Sequence, residues 1–370
     1  MQPRDRVLYA VEHKEIDRFP RDLGGLVSGI SKIAYIKLLK NLNLPVVDIQ
    51  ISDTIQQLAQ ITEPVLERFK IDTRHVRAKG GKSQMINADA FIDPYDIKYQ
   101  KIGIPEFPVL YYENVAFPLA NASLQDLRNY QWPKPTDDWF KGCEQEARNH
   151  KKKINYAVVA DPLSGGIQEQ ATWLRGNKQF LYDLYDNRDF IEELLDLALL
   201  NQQEIIERYL DHLGEYVDIL IYGDDYGNQD RLMMRPKMWQ NLTKPRVKKL
   251  IDTIKKINRD VKIQLHSCGM IHAIIPDLIE LGFDILNPTQ PCMDHRFLKA
   301  NYGKKICFHG GVDIQYVLPY GTSQEITEEI KRVMNELGGD QTGYIFAMAH
   351  NILADVPPEN ILTAFNSLDE

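Results

Sequence analysis

VDILIYGDD, residues 217–225, and VKIQLHSCG, residues 261–269, are two short apolar runs that each end in polar residues. Their lengths and their β-branched content are typical of strands buried on both faces. Between them, apolar side chains recur at helical spacing over residues 236–257. A strand, a helix and a second strand in this order predict two parallel neighbours joined by a helical crossover.

The same alternation recurs along the chain. Further strands are predicted at residues 154–161, 283–288, 305–313 and 343–350, with two more candidates at residues 18–25 and 71–78. Further helical patterns cover residues 189–213, 271–281 and 323–337. About eight strands that alternate with helices indicate an all-parallel sheet, which is either open and doubly wound or closed into a barrel.

We favour the closed form, an α/β fold of the (β/α)8 TIM-barrel type. No GxGxxG motif follows any of the runs, and 370 residues are enough for one barrel with insertions. The expectation is a single domain over residues 1–370 with an N-terminal extension. Residues 80–135, which are rich in Tyr and Pro, are predicted to form an irregular, hairpin-rich insertion near the barrel mouth.

Composition excludes several classes of function. The net charge of −8 does not suit a nucleic-acid partner. The charged first twenty residues have no apolar segment of the signal-peptide type, and no apolar run is long enough for a membrane span. The four cysteines are too few for a disulfide framework, so we expect a reduced, cytoplasmic protein.

Polar residues end almost every predicted strand, where a barrel places its active site. They are Asp161, Asp224, Asp225, His266, Cys268, Asn287, His309, Asp313, His350 and Asn351.

The strongest metal-ligating pattern is the pair His266 and Cys268. In an extended segment, residues two apart point to the same side, so the imidazole and the sulfur can converge on one ion. Both are preferred ligands of Zn²⁺, and a catalytic zinc takes three protein ligands and keeps one open position. Gly269 allows a sharp turn directly after the pair. The alternative is a buried histidine beside an unrelated cysteine.

A third metal ligand has to come from another strand end. The candidates are His350, which we favour, Cys307, which also suits a core position, and His309, which could instead bind substrate.

Asp224 and Asp225 are candidate catalytic groups, as an acid or base or as partners that orient a metal-bound histidine. The alternative is a helix N-cap or a solvated loop.

Five further residues are predicted to bind substrate. Arg21 and Arg74 could each hold a carboxylate in a bidentate contact, and a structural ion pair is equally compatible with either. Asp161, His309 and Asn351 follow strands at the predicted barrel mouth, and a plain turn is the alternative for Asp161.

Five segments are distinctive when taken together: RDRVLYAVEHKEIDRFP (4–20), GDDYGNQDRLMMRPKMWQNLTKPRVKKL (223–250), HSCGMIHAIIPDLIELGFDILNPTQ (266–290), FHGGVD (308–313) and AHNILADVPPENI (349–361). Through them the chain resembles the uroporphyrinogen decarboxylase superfamily over almost its whole length. The resemblance implies a (β/α)8 barrel with its site at the mouth.

Two departures indicate which branch the chain resembles. Decarboxylases of the superfamily carry an LRQAGR segment, where this chain has FPRDLGG and keeps only Arg21; Asp72 is the nearest match to their essential aspartate. The HxCG motif is similar to the zinc site of the corrinoid-dependent methyltransferases. Their third ligand is a distant cysteine, and His350 lies at that place here.

The resemblance therefore implies zinc held by His266, Cys268 and His350, and a corrinoid (methylcobalamin) carried by a separate protein. The expected activity is methyl transfer between that corrinoid and a small methyl ether, methylamine or thiol, by a monomer or homodimer. One alternative is metal-independent decarboxylation by Asp72 or Asp225 with Arg21 and Arg74. Another is a non-catalytic tetrapyrrole-binding protein.

Overall fold

A parallel sheet of seven strands forms the centre of the molecule. The structure is a computed structural model that describes residues 1–152 and 154–369. In chain order the strands of the described residues are β1 (Ile51–Asp53), β2 (Leu58–Ala59), β3 (Thr73–Val76), β4 (Gln84–Asn87), β5 (Ala90–Ile92), β6 (Lys98–Ile104), β7 (Phe107–Ala116), β8 (Ala157–Ala160), β9 (Ile219–Gly223), β10 (Lys262–His266), β11 (Ile285–Asn287), β12 (Cys307–His309) and β13 (Tyr344–Ile345).

Helices precede, connect and follow these strands. They are α1 (Pro3–Val11), α2 (Lys32–Asn41), α3 (Glu63–Arg68), α4 (Leu124–Asn129), α5 (Asp137–Phe140), α6 (Cys143–Lys152), α7 (Ile167–Arg175), α8 (Asn177–Asp186), α9 (Arg188–Leu213), α10 (Pro236–Leu242), α11 (Lys244–Ile257), α12 (Ile275–Leu281), α13 (His295–Tyr302), α14 (Val317–Tyr320), α15 (Ser323–Gly338) and α16 (Pro358–Asn366). No helix among the described residues is both long and apolar enough to cross a bilayer.

The parallel sheet has the strand order β13-β12-β11-β10-β9-β8-β3. Strand β10 lies between β9 and β11, and Gln264 of β10 pairs with Ile221 on one side and Ile285 on the other. All five residues of β9 are buried, as expected for a central strand covered by helices on its outer face. The order follows the sequence, so the polar residues that end successive strands lie along one edge.

A short extended segment bridges the two edges of this sheet. At one edge, Asp22 N–H donates to the Phe346 carbonyl at 2.9 Å, and Phe346 N–H donates to the Pro20 carbonyl at 2.8 Å. At the other edge, Asp72 N–H donates to the Arg21 carbonyl at 2.9 Å. Because one segment contacts both edge strands, the sheet curls round toward a barrel.

The parallel sheet has seven strands and is curled but not closed. The prediction of a closed eight-stranded barrel is corrected in both respects. The strand predicted at residues 18–25 is reduced to a single bridge between Arg21 and Phe346. Pro20 has no N–H to give to a ladder, and Gly24 adopts φ +111°. Both features interrupt a strand.

Helix α15 shows how local sequence sets an element. The Thr322 hydroxyl accepts from the Glu325 N–H, and the Glu325 carboxylate accepts from the Thr322 N–H, which completes a capping box. The apolar face of the helix then packs inward through Ile326, Ile330 and Val333. This helix begins where the sequence predicts.

Residues 80–135 are more regular than predicted. They contain a four-stranded antiparallel sheet in the order β4-β5-β6-β7, followed by α4. Tyr99 of β6 stacks on Phe91 of β5 with 5.0 Å between ring centroids, and both rings are buried. This face gives the antiparallel sheet an apolar surface against the rest of the protein.

Candidate metal centre

A cavity of about 1260 Å³ opens at the carboxyl ends of the parallel strands. His266 and His350 belong to its wall, and the antiparallel sheet contributes Phe91 and Tyr99. The wall thus combines aromatic surface with imidazole groups, as small-molecule sites commonly do.

His266, Cys268 and His350 are brought together at this cavity. Their ligand atoms all lie within 4.8 Å of one another, and the Cys268 Sγ lies 3.6 Å from the His266 Nε2. Zinc bonds of about 2.0–2.1 Å to nitrogen and about 2.3 Å to sulfur, at tetrahedral angles, separate the two donors by about 3.6 Å. The spacing therefore fits two ligands of one tetrahedral ion.

The local backbone explains why both side chains point to one side. His266 is the last residue of β10, and the next residues leave the strand through Gly269, which adopts φ +86°. A Cβ at Gly269 would lie 2.6 Å from the Asn228 carbonyl oxygen, so only glycine fits this turn. The glycine of the HxCG motif thus lets the chain fold back beneath the thiol.

Hydrogen bonds fix the orientation of the His266 ring. Its Nδ1 lies 2.6 Å from the Asn287 Oδ1 at the end of β11. An amide oxygen only accepts, so Nδ1 carries a proton and Nε2 keeps its lone pair toward Cys268 and His350. This is the tautomer that a metal ligand needs.

Two side chains hold the cysteine loop. The Asp225 carboxylate accepts from the Cys268 N–H at 2.7 Å. The Gln290 side-chain oxygen Oε1 accepts from the Gly269 N–H at 2.6 Å, and the Gln290 Nε2 lies 3.6 Å from the Cys268 sulfur.

The pKa values of the three candidate ligands are shifted by their surroundings. Burial, with the charges of Asp225 and Glu169 added, raises the pKa of the Cys268 thiol well above its usual range. Burial lowers the pKa of His266, and burial together with His266 lowers that of His350 to about 3. Both imidazoles are therefore neutral at pH 7, ready to coordinate a cation.

The other two candidates for the third ligand lie elsewhere. The Cys307 side chain is fully buried in an apolar cluster with Val7, Val11 and Ala157. His309 is buried, with its Nε2 3.1 Å from an Asp22 carboxylate oxygen. The His309 imidazole does not belong to the cavity wall, and its contact with substrate remains a prediction.

Asp224 caps the N-terminus of a helix, which was one of the structural alternatives to a catalytic role. Its carboxylate accepts from the N–H groups of Gln168 and Glu169 at the start of α7, and from the hydroxyls of Tyr222 and Tyr226. Burial raises its pKa to about 6. Asp224 is fully buried among these donors, and its catalytic role remains a prediction. Asp225 does line the cavity.

Asp72 and Arg21 are also removed from the site by their contacts. The Asp72 carboxylate is paired with Arg6 at 2.5 Å and with Arg18 at 2.8 Å. The Arg21 guanidinium is buried and paired with Asp369. Neither residue belongs to the cavity wall and both form structural ion pairs, and a catalytic Asp72 and a substrate-binding Arg21 remain predictions.

Arg74 and Asn351 are likewise committed to the protein. Arg74 reaches the cavity wall, but its guanidinium pairs with Glu63 and lies 3.5 Å from the centre of the Tyr156 ring. Asn351 clamps a loop, because its Oδ1 accepts from the Gly29 N–H at 2.6 Å. These contacts are structural, and the substrate contacts of Arg74 and Asn351 remain predictions.

Asp161 lines the cavity as part of a carboxylate–imidazole–carboxylate unit. His75 lies between Asp22, at 2.8 Å, and Asp161, at 3.0 Å. Burial opposes the charged imidazole, but the two carboxylates prevail and raise the pKa of His75 to about 10. His75 is thus a cation at neutral pH, and the sequence analysis did not assign it; its only signal was a polar position inside a predicted buried strand.

Two further cavity residues were missed. Burial and the neighbouring Asp225 and Asp224 carboxylates raise the pKa of Glu169 well above its usual range. Both amide atoms of Gln170 are buried in the cavity wall with no hydrogen-bond partner among the described residues, so this amide is available to a ligand. Both lie in the segment GGIQEQ, residues 165–170, where nothing in the sequence marked them as functional.

Comparison with known proteins gives one family. Residues 147–370, more than half of the chain, match the family model for uroporphyrinogen decarboxylase (URO-D). Among curated proteins, the uroporphyrinogen decarboxylase of Ruthia magnifica subsp. Calyptogena magnifica is 26% identical over 222 residues, which are 57% of this chain and 60% of that protein. The uroporphyrinogen decarboxylase of Vesicomyosocius okutanii subsp. Calyptogena okutanii (strain HA) is 41% identical over 64 residues, 17% of this chain and 18% of that protein. The chain thus spans less than two thirds of the length of either relative.

A methyltransferase from Methanosarcina mazei is similar in structure over 100% of this chain and 98% of its own, with a TM-score of 0.70 and 15% identity. At that identity the likeness shows the fold.

Proposed function

We propose that this chain, which belongs to the uroporphyrinogen decarboxylase family, is a zinc-dependent methyltransferase that moves a methyl group between a small substrate and a corrinoid. The observation that carries the proposal is the convergence of His266, Cys268 and His350, with the first two donors at a tetrahedral separation of 3.6 Å. Three protein donors, two of which (His266 and His350) line the cavity, are the number that a catalytic zinc site uses when it keeps one position for substrate.

The donor set fits zinc better than a hard cation. Two imidazole nitrogens and one thiol sulfur are ligands that Zn²⁺ prefers, whereas Mg²⁺ and Ca²⁺ prefer oxygen. A zinc ion held there supplies Lewis acidity, which favours the thiolate form of a thiol or improves the leaving group of a methyl ether or methylamine.

The chain's own residues prepare this site. Asn287 holds His266 with Nε2 free, and Gln290 places an amide N–H beside the Cys268 sulfur, which stabilises negative charge on it. Asp225 fixes the cysteine loop through the Cys268 N–H. The free amide of Gln170 offers both a donor and an acceptor for orienting the small substrate.

The corrinoid belongs, in this proposal, to a separate protein that presents it at the cavity mouth. The protein would act as a monomer or homodimer in the cytoplasm. The aromatic wall of Phe91, Tyr99 and Trp173 then encloses the methyl substrate.

Decarboxylation is the second candidate, because the curated relatives are described as uroporphyrinogen decarboxylases. It would use Asp72 or Asp225 with Arg21 and Arg74. Asp72 and Arg21 are held in ion pairs outside the cavity wall, and Arg74 is paired with Glu63, which favours methyl transfer.

The test is methyl transfer from methylcobalamin to a panel of small thiols, and to reduced cobalamin from methyl ethers and methylamines, followed by cobalamin absorbance. We expect turnover with one member of the panel, loss after chelation and recovery with zinc. Cys268→Ala should abolish turnover, whereas the matched Cys307→Ala should retain it. Uroporphyrinogen decarboxylation that survives chelation and Cys268→Ala would contradict the proposal.

A further inference from the structure

We infer that Asn287, His309 and Asp22 form a directed relay that fixes the tautomer of His266 and strengthens this imidazole as a metal ligand. The inference rests on the proposed function where it concerns the metal. These three residues are positioning residues, since none of them belongs to the cavity wall.

The relay consists of two hydrogen-bond contacts and one ion-pair contact, all of them buried. The His266 Nδ1 lies 2.6 Å from the Asn287 Oδ1, and the Asn287 Nδ2 lies 3.1 Å from the His309 Nδ1. On the far side of the ring, the His309 Nε2 lies 3.1 Å from the Asp22 Oδ2. All four residues are at most 8% exposed, so solvent does not replace these contacts.

The chemistry of the amide sets the direction. Asn287 Oδ1 accepts, so His266 Nδ1 carries hydrogen; Asn287 Nδ2 donates, so His309 Nδ1 carries none. The His309 ring therefore carries its hydrogen on Nε2, which faces the Asp22 carboxylate. This last contact is a close approach of 3.1 Å between two buried atoms, neither of which has a hydrogen-bond partner among the described residues.

Asp22 is placed to act as the anionic end. Burial opposes its charge, but His75 and His309 hold the pKa of Asp22 well below its usual range. Thr73 also donates to the same carboxylate. The negative charge of Asp22 polarises the N–H groups of His309, Asn287 and His266 in turn. Electron density on the His266 ring rises as a result, and its Nε2 becomes more basic.

The same carboxylate connects the relay to the cavity. His75 and Asp161 both line the wall, and Asp22 bonds to His75 at 2.8 Å. Two imidazoles thus share one carboxylate, with His75 on the cavity side and His309 on the metal-ligand side. The relay explains why a carboxylate, a histidine and an asparagine are buried together beneath a metal site.

The first test is spectroscopic and uses the wild-type protein without metal. Nitrogen-15 labelling of the histidine rings reports which nitrogen of His266 is protonated. We expect hydrogen on Nδ1 in wild type, a mixture of tautomers in Asn287→Ala, and recovery of the Nδ1–H form in Asn287→Asp, which restores an acceptor. A proton on Nε2 in wild type would overturn the relay, whatever the variants do.

The second test is zinc affinity by competition with a chromogenic chelator at fixed pH. Removing an outer-shell partner typically weakens metal binding by about 10–100-fold, and we expect Asp22→Asn to lie in this range. The matched control is Asp183→Asn, which alters another buried carboxylate, paired with Arg175 at 2.7 Å. The control should bind as wild type does.

The outcomes separate the two proposals. If wild type binds zinc and Asp22→Asn binds equally well with an unchanged His266 tautomer, the relay is wrong and the metal site stands. If wild type binds no zinc, the proposed function fails, and the tautomer measurement alone decides whether the relay positions His266.

Discussion

His75 provides a prediction that links pH to stability. The imidazole is 6% exposed and lies between Asp22, at 2.8 Å, and Asp161, at 3.0 Å. The pKa of His75 is about 10 in the folded protein, against about 6.5 in an unfolded chain. Because the folded pKa is the higher one, this contribution to stability is fully present below pH 6.5 and is lost as pH rises through 10.

The magnitude follows from the proton balance. Between the two pKa values the folded state binds about one more proton than the unfolded state, so the free energy of unfolding falls by at most about 1.4 kcal/mol per pH unit. From pH 7 to 9 this amounts to a loss of up to about 3 kcal/mol. His75→Gln removes the titrating group and should flatten the dependence. It should also cost on the order of 3–5 kcal/mol at pH 7, since two buried carboxylates lose their cation.

The assay is urea unfolding of wild type and His75→Gln at pH 7, 8 and 9. The readout is the change in the free energy of unfolding per pH unit, compared between the two proteins. His295→Gln is the matched control, because His295 is buried but its pKa is lowered, chiefly by burial. The control should keep the wild-type slope between pH 7 and 9. If the free energy of unfolding of wild type falls no more steeply with pH than that of His75→Gln, His75 is not a charged imidazole held between Asp22 and Asp161.

Three further substitutions test other contacts. Asp224→Ala removes the acceptor of four hydrogen bonds and should lower the free energy of unfolding by at least about 1–3 kcal/mol. Its control is Asp230→Ala at an exposed ion pair, which should change the free energy of unfolding little in the same urea titration. Gly25→Ala would bring a methyl group within 2.2 Å of the His75 ring, so its urea midpoint should fall by the equivalent of about 1–3 kcal/mol; an unchanged midpoint would contradict the packing. Gly269→Ala should weaken zinc binding in a chelator competition, because the turn at φ +86° has no room for a Cβ. If this variant binds zinc as tightly as wild type does, the turn at Gly269 is not what positions the Cys268 thiol.

The strand pattern was predictable because it is local. The apolar runs of β9 and β10 and the period of two that aligns His266 with Cys268 depend on a few neighbouring residues. A capping box such as that of Thr322 and Glu325 is equally local. These features follow from the sequence with no knowledge of distant partners.

Side-chain partners far along the chain were not predictable. Arg21 is neutralised by Asp369, 348 residues away, and His309 faces Asp22 across the sheet. A sequence shows that such groups end strands, but which charge each one meets depends on how the sheet curls. Asp224 likewise caps α7 rather than its own loop, because α7 begins beside the end of the neighbouring strand.

The central claim is that His266, Cys268 and His350 hold one zinc ion. The most direct measurement is metal analysis with zinc X-ray absorption on protein purified without chelators. The account predicts about one zinc per chain, bound to one sulfur and two imidazole nitrogens with a further light-atom ligand, and loss of the metal in Cys268→Ala and His350→Ala. Wild-type protein that stays free of zinc, or a site with two sulfur ligands, would contradict it.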